Sequence, residues 1–405
     1  MHDSPRVPGD IISEITEHLG GDMATLSVCS VVSQSWTHEA RKHLFREIAL
    51  QSEKGDNDFQ EFAVFVKEHP EASCFVKQLK LSGRPHRAGD EHRPHVAPQL
   101  ISSILEHLPN VKELSFYGVL FTFPIRSPPP PLSSPFALEH LTCFNVSATA
   151  QVWFRMMQLF SAAELKIHLD PVSDSRRGLK DAGISAPIIA APSLKLAGVP
   201  PMSIEKVLEP ALVSNCLQRL DIAISQPGHP TAIGRLINKS SGTMGEFRLD
   251  ISGLRYALGP AAWQALNLTS CAALSSFSIS INLGVHTPVQ FSTLLAILSH
   301  CPPTLRHIAC FITLHRATPG TMADPVISRN VTGDDCAQLE ALLVSKYRKL
   351  EKLLFDLRDV MDPYVLPEQI WNTIRESMPR LRDKGVLTLH PRLRNSQGEE
   401  KAPSL

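Results

Sequence analysis

One pattern constrains the fold of this chain more than any other. From residue 51 onward, a stretch of helical periodicity is followed repeatedly by a short apolar strand. Residues 59–67 precede 75–81, 101–108 precede 111–116, 152–160 precede 165–169 and 204–213 precede 217–222. The same order continues through 233–238 and 247–251, 263–268 and 274–279, 291–298 and 305–308, 339–344 and 350–355, and 370–377 and 386–389. The strands centre near residues 79, 114, 141, 167, 194, 220, 249, 277, 308, 354 and 387, mostly about 25 to 35 residues apart. A junction also recurs between helix and strand, at residues 107–111, 214–217, 269–274 and 299–305. There a small residue or a cysteine can pack under the turn while the next leucine starts the strand. A single helix and strand cannot bury an apolar face alone, so neighbouring units must stack.

This arrangement resembles the leucine-rich-repeat plan, in an irregular form. The resemblance implies an α/β solenoid whose strands make a curved parallel sheet, expected over residues 51–392, with a disordered tail at 393–405. The consensus asparagine of regular repeats is mostly missing and the period drifts. The proline-rich run from Pro124 to Pro135 is expected to be an extended insertion between units. Interruptions around residues 170–187 and 318–334 stretch the period further. A doubly wound α/β domain is the fallback, but its strands need no recurring junction.

Residues 1–50 differ. Ile11, Ile12, Ile15 and Leu19 recur at helical spacing after Pro8, and Gly20-Gly21 stops the helix. Leu26, Val28, Val31 and Val32 follow. Ser33 is the expected N-cap of a third helix carrying Trp36, Ala40 and Leu44 on one face. Three short helices in about forty residues have too few apolar side chains to be stable comfortably alone. Such a unit needs a partner or a neighbouring domain.

The joint spacing of Val7-Pro8, Ile11-Ile12, Ile15, Leu19, Leu26, Val31-Val32-Ser33 and Trp36 resembles an F-box, in the F-box-like form of fungal proteins that ends in a segment like His43-Leu44-Phe45. The family pattern begins Leu-Pro-x-Glu where this chain has Val7-Pro8-Gly9-Asp10. The resemblance covers roughly residues 6 to 46. It implies docking on a Skp-type adaptor and, through it, a cullin scaffold, with Pro8, Ile11, Ile12, Leu26, Val31 and Val32 facing the adaptor. Ile15, Leu19 and Trp36 would then hold the module's own core. An ordinary three-helix cap on the array is the alternative.

Composition narrows the function. Forty basic residues balance forty acidic ones, so nothing electrostatic points to nucleic acid or an anionic membrane. No apolar run reaches the roughly 18 to 20 residues of a membrane helix, and the first residues lack the apolar core of a signal peptide. The chain is therefore read as intracellular. Eight cysteines stand singly without a Cys-x-x-Cys pair, as reduced buried thiols do. Residues 84–95 hold three histidines and two carboxylates. Their spacing fixes no metal geometry and three arginines would repel a cation, so a solvated loop is expected. Asp334-Asp335 reads as helix-start charge complementing the macrodipole. No phosphate-cradling loop, nucleophile elbow or dinucleotide fingerprint is present. No cofactor, metal or catalytic residue is expected.

If Leu220, Ile222, Leu249, Ile251, Phe277 and Ile279 point into the core, then Arg219, Asp221, Arg248, Asp250, Ser278 and Ser280 point out. His307 and Phe311 continue that strip, the expected target-binding surface. Charge reversal of Arg219 and Arg248 should then abolish recruitment without unfolding. The function implied is the substrate-recognition subunit of a Skp–cullin–F-box type ubiquitin ligase, without enzymatic activity of its own. A cullin-independent F-box scaffold is the second reading, and an α/β hydrolase or transferase the third.

Overall fold

The computed structural model describes residues 7–52, 57–83, 93–122, 134–169, 189–254, 258–282, 291–313, 331–358 and 367–391. Most of the expected proline-rich insertion, the interruption at 170–187 and most of the histidine-containing loop lie outside the described residues, as does the tail. The chain divides into two compact units, Met1–Ile184 and Ser185–Leu405. The division falls within the array rather than at residue 50.

The first unit opens with helices α1 (Gly9–His18), α2 (Met23–Cys29) and α3 (Gln34–Leu44). Gly20-Gly21 follows the end of α1, as expected. Asp22 starts α2 by accepting from the Thr25 amide (3.0 Å) and hydroxyl (2.6 Å). Ser33 stands at the N-cap of α3, but its side chain makes no capping bond. Its carbonyl instead accepts from both the amide and the hydroxyl of Thr37.

Seven strands follow in this unit: β1 (Glu47–Ser52), β2 (Gln78–Gly83), β3 (His95–Val96), β4 (Glu113–Tyr117), β5 (Leu120–Phe121), β6 (Phe136–Val146) and β7 (Phe160–Leu169). All pairings are parallel, in the order β1-β2-β4-β6-β7, with β3 and β5 as a separate pair. Helices Asn57–Glu68, Pro98–Leu105 and Ala150–Met157 provide crossovers between successive strands. One face of the sheet packs on them through Leu79, Leu81, Leu114, Phe116, Leu141 and Ile167, all nearly inaccessible to water. The strand β1 straddles the expected module boundary at residue 50.

The second unit continues the same scheme with β8 (Ser193–Leu196), β9 (Arg219–Ala223), β10 (Glu246–Asp250), β11 (Ser276–Asn282), β12 (His307–Thr313), β13 (Lys352–Arg358) and β14 (Leu387–Pro391), parallel and in sequence order. All eleven strand centres read from the sequence fall inside strands; β1 and the short β3 and β5 had no such reading. Leu220, Ile222, Phe247, Leu249, Phe277 and Ile279 face the helical side and are buried. Cα registers such as Leu220↔Phe247↔Phe277↔Ile308 stack one apolar rung on the next. The leucine-rich-repeat-like plan is therefore the architecture of the described chain.

A backbone device sets this register. In the first unit the carbonyls of Arg46, Lys77 and Lys112 each accept from two successive amides of the following unit. In the second unit Pro192, Gln218, Gly245, Ser275 and Arg306 do the same, at 2.8–3.1 Å. The junctions add side-chain bonds. Thr243 donates to the Leu217 carbonyl and Thr304 to the Leu274 carbonyl, each one unit back. Cys271 and Cys301 are fully buried in their junctions, and Cys216 donates to the Val213 carbonyl at 2.9 Å. Burial pushes the Cys271 thiol up to about 11 and the Cys143 thiol up to about 12. All eight cysteines are free thiols.

Candidate partner-docking surfaces

The first candidate is the three-helix module. Eleven large apolar side chains are left exposed among the described residues, and seven of them stand between Val7 and Val32. Such a concentration on so small a module makes this face a candidate interaction surface. Of the residues expected to face an adaptor, Pro8, Ile11, Val31 and Val32 are exposed, Val31 at 80%. Val28, Met23 and Ile15 join them.

Two expected contact residues are placed otherwise. Ile12 is 2% exposed and Leu26 0%, so both are core side chains of the module itself. The reason is the phase of α1. Ile12 and Thr16, four residues apart, share the buried face, while Ile11 and Ile15 share the outer one. Ile15, expected in the core, is consequently exposed, and Leu19 and Trp36 are half-buried. Thr16 is tolerated inside because its hydroxyl donates to the carbonyls of Ile12 and Ser13. Buried Ala40 completes the inner contact from α3.

The second candidate is the open face of the second unit's sheet. The register aligns Arg219 with Glu246, Asp221 with Arg248, and Asp250 with Ser280 and then Phe311. The expected residues thus fall in three adjacent rows of the sheet, Arg219 with His307, Asp221 with Arg248, and Asp250 with Phe311. Their charges, however, are largely spent on one another. Arg219 reaches Glu246 at 2.9 Å, and Asp221 is shared by Lys195 (3.4 Å) and Arg248 (3.8 Å). His307 sits 3.4 Å from Glu351. Asp250 accepts from the amide and hydroxyl of Ser252. Ser278, expected to point out, is buried, and Phe311 is half-buried. Exposed pairs of this kind contribute about 0–1 kcal/mol each. Reversing Arg219 and Arg248 would set like charges opposite Glu246 and Asp221, so Gln substitutions are the cleaner probe.

The third surface had no signal that periodicity alone could supply: the open face of β2, β4, β6 and β7. Its rows run in register across the strands. Glu47, Gln78, Glu113, His140 and Glu164 form one, Lys80, Ser115, Thr142 and Lys166 the next, and Ser82, Tyr117, Phe144 and His168 the third. In the third row Tyr117 and Phe144 lie 5.7 Å apart between ring centroids, and Phe144 stacks on His168 at 4.5 Å. The ammonium of Lys80 lies 4.5 Å from the Tyr117 ring centre.

Among the described residues no group of three or more His, Cys, Asp or Glu side chains is placed to hold a metal ion, and no helix is long and apolar enough to cross a membrane. Of the histidine-containing loop, Arg93 is described; it donates to the Asn145 carbonyl and the Ser147 hydroxyl.

No protein-family model matches the chain, and no curated protein matches it. Among solved structures the chain is similar to one from the yeast complex of Rad7 and Elc1, at 12% identity and a TM-score of 0.31, over 78% of this chain and 87% of that one. It is also similar to the leucine-rich repeat-containing protein LegL7 from Legionella pneumophila, at 12% identity and a TM-score of 0.38, over 82% and 98%.

Proposed function

We propose that this chain is a non-catalytic recruiting subunit of a Skp–cullin–F-box type ubiquitin ligase. Its three-helix module docks on a Skp-type adaptor, and its repeat array holds a target protein. The observation that carries the reading is the exposed apolar face of the module: Ile11 on α1, and Val28, Val31 and Val32 at the end of α2 and in the turn after it. A monomer gains nothing from leaving these side chains in water. Fully burying one such side chain contributes about 1.5–3 kcal/mol, so a partner groove covering several of them would bind firmly. The F-box resemblance of residues 6–46 supplies the kind of partner. Tethering a target beside a charged ubiquitin carrier makes transfer effectively intramolecular, which requires no bond-making by this chain.

The test is calorimetric titration of the purified chain into a purified Skp-type adaptor. Wild type should bind, and Val31→Asp with Val32→Asp should weaken binding on the order of a hundredfold, through lost apolar burial and desolvated carboxylates. Both valines are exposed, so circular dichroism should be unchanged. Equal binding by the double variant, or no binding by wild type, rejects the reading. Deleting residues 1–50 should also abolish co-purification of cullin.

A further inference from the structure

The rows on the open face of the first unit's sheet have different chemistry. Carboxylates dominate the row at the strand starts, with Glu113 accepting from Gln78 at 3.0 Å and Glu164 held by His140 (2.8 Å) and Lys166 (3.5 Å). Two residues further along each strand comes a row whose lysines bracket the hydroxyls of Ser115 and Thr142. Two residues further again come the aromatic rings. Lys166 already has its carboxylate. Lys80 has none among the described residues, and its ammonium rests on the Tyr117 ring instead. Phe144, central in the aromatic row, is 41% exposed although both neighbouring rings pack against it. Lys80, whose ammonium rests on a ring rather than on a carboxylate among the described residues, therefore lies beside an exposed, pre-ordered aromatic platform.

We propose that this face binds an extended segment of the target protein in which a carboxylate side chain lies a few residues from an aromatic or aliphatic one. The carboxylate meets Lys80 and the apolar side chain covers Phe144. The assignment rests on the reading that the array holds a target, and it locates the contact on β2, β4, β6 and β7 instead of the expected strip in the second unit.

The spacing follows from sheet geometry. Lys80 and Phe144 are two strands apart, about 10 Å, and two positions apart along the strand, about 7 Å. Their backbone positions are thus separated by about 12 Å, which three or four residues of extended chain would span. The charge of the face selects protein over single-stranded nucleic acid. Aromatic rings and lysine would suit stacked bases, but a polyphosphate brings a charge at every residue against Glu47, Glu113 and Glu164, whereas the proposed segment brings a single carboxylate, placed at Lys80. The chain as a whole carries no net positive charge.

The test is panning of a random twelve-residue peptide library on the full-length chain, without adaptor, beside the Phe144→Ser and Lys80→Glu variants. Wild type should enrich peptides with Asp or Glu three or four positions from an aromatic residue or leucine. Phe144→Ser should cut recovery at least about tenfold, as loss of an aromatic anchor does. Lys80→Glu should switch the enriched charge from acidic to basic, an outcome that a merely structural role of Lys80 would not give. Both side chains are at the surface, and matching circular dichroism checks that the variants fold.

Enrichment of the same peptides with the same yield on all three proteins would overturn the proposal while leaving the array a protein binder elsewhere. Failure of wild type to enrich any peptide would also overturn it. So would binding of a labelled oligo(dT) or oligo(U) that Phe144→Ser abolishes. The adaptor plays no part in this measurement, so failure of adaptor docking registers separately, in the calorimetry.

Discussion

Replacing Gly234 with alanine reverses the usual expectation for a helix-interior glycine. Gly234 lies in the helix His229–Lys239, where alanine is favoured over glycine by about 0.8–1 kcal/mol. A β-carbon at this position would meet the Ala265 carbonyl oxygen at 2.0 Å, the Ala265 carbonyl carbon at 3.1 Å and the Leu266 α-carbon at 3.4 Å. These are backbone atoms of the following unit and cannot rotate away. To restore an ordinary contact of roughly 3.4 Å the two units must separate by more than about 1 Å, in a core where Leu236 and Leu266 are fully buried. Overpacking costs about 1–3 kcal/mol, and a backbone clash of this depth lies at the upper end. Subtracting the propensity gain leaves Gly234→Ala destabilised by about 2 kcal/mol. Urea unfolding followed by circular dichroism should show a lower midpoint with an unchanged slope. Amides of residues 229–239 should exchange faster with solvent. The control is Gly253→Ala, where an added β-carbon meets nothing within 4 Å. It should be neutral or stabilising by up to about 1 kcal/mol. A Gly234→Ala protein as stable as wild type would refute the close approach of adjacent units on which this reasoning depends.

Acid sensitivity should trace in part to His229. It is buried, accepts at Nδ1 from the amides of Ser225 and Gln226, and donates from Nε2 to the Val199 carbonyl at 2.7 Å. Burial holds its pKa below the usual imidazole value. The unfolded chain therefore takes up the proton first as pH falls below about 6.5. Wild-type stability should decline there by up to about 1.4 kcal/mol per pH unit more than that of His229→Gln, measured by urea midpoints between pH 7.5 and 5; parallel curves would reject this. Thiol labelling followed by mass spectrometry should modify Cys29 and Cys74 in the native protein, whereas Cys143, Cys301 and Cys310 should react only after denaturation, because they are buried and burial raises their pKa. Lys346→Met should destabilise by about 1–2 kcal/mol in the same urea assay. The ammonium donates to the carbonyls of Leu298 and Ser299, closing the end of the helix one unit earlier.

The array was legible because its signal is periodic: an apolar residue every second position in a strand and a leucine after each junction recur often enough to fix all eleven strand centres. The strand β1 was harder to see. Its Ile48, Leu50 alternation is brief and lies only two residues beyond the end of α3 at Leu44, so alternation alone does not separate it from the module. On α1, consecutive isoleucines left the helix phase open. Either Ile11 or Ile12 could face inward, and it is Thr16, buried by bonding back to its own helix, that decides for Ile12. The outward strip of the second unit could be read from alternation, but its mutual ion pairs depend on cross-strand register, which a strand's own sequence does not contain. The aromatic row of Tyr117, Phe144 and His168 was invisible for the same reason. Its members stand 27 and 24 residues apart in sequence and become neighbours only when β4, β6 and β7 align.

The doubly accepting carbonyls at the strand starts have a consequence for how such a chain can change over time. Wherever such a fork stands, the following strand takes its alignment afresh from the one before it, so a difference of length between the two strands need not propagate. Thus 38 residues separate Thr313 from Lys352 while 22 separate Ala223 from Glu246, and both connections lead to strands in parallel register. Extra sequence can therefore accumulate after a strand, or a whole unit be gained or lost, without the rest of the array having to be rewritten.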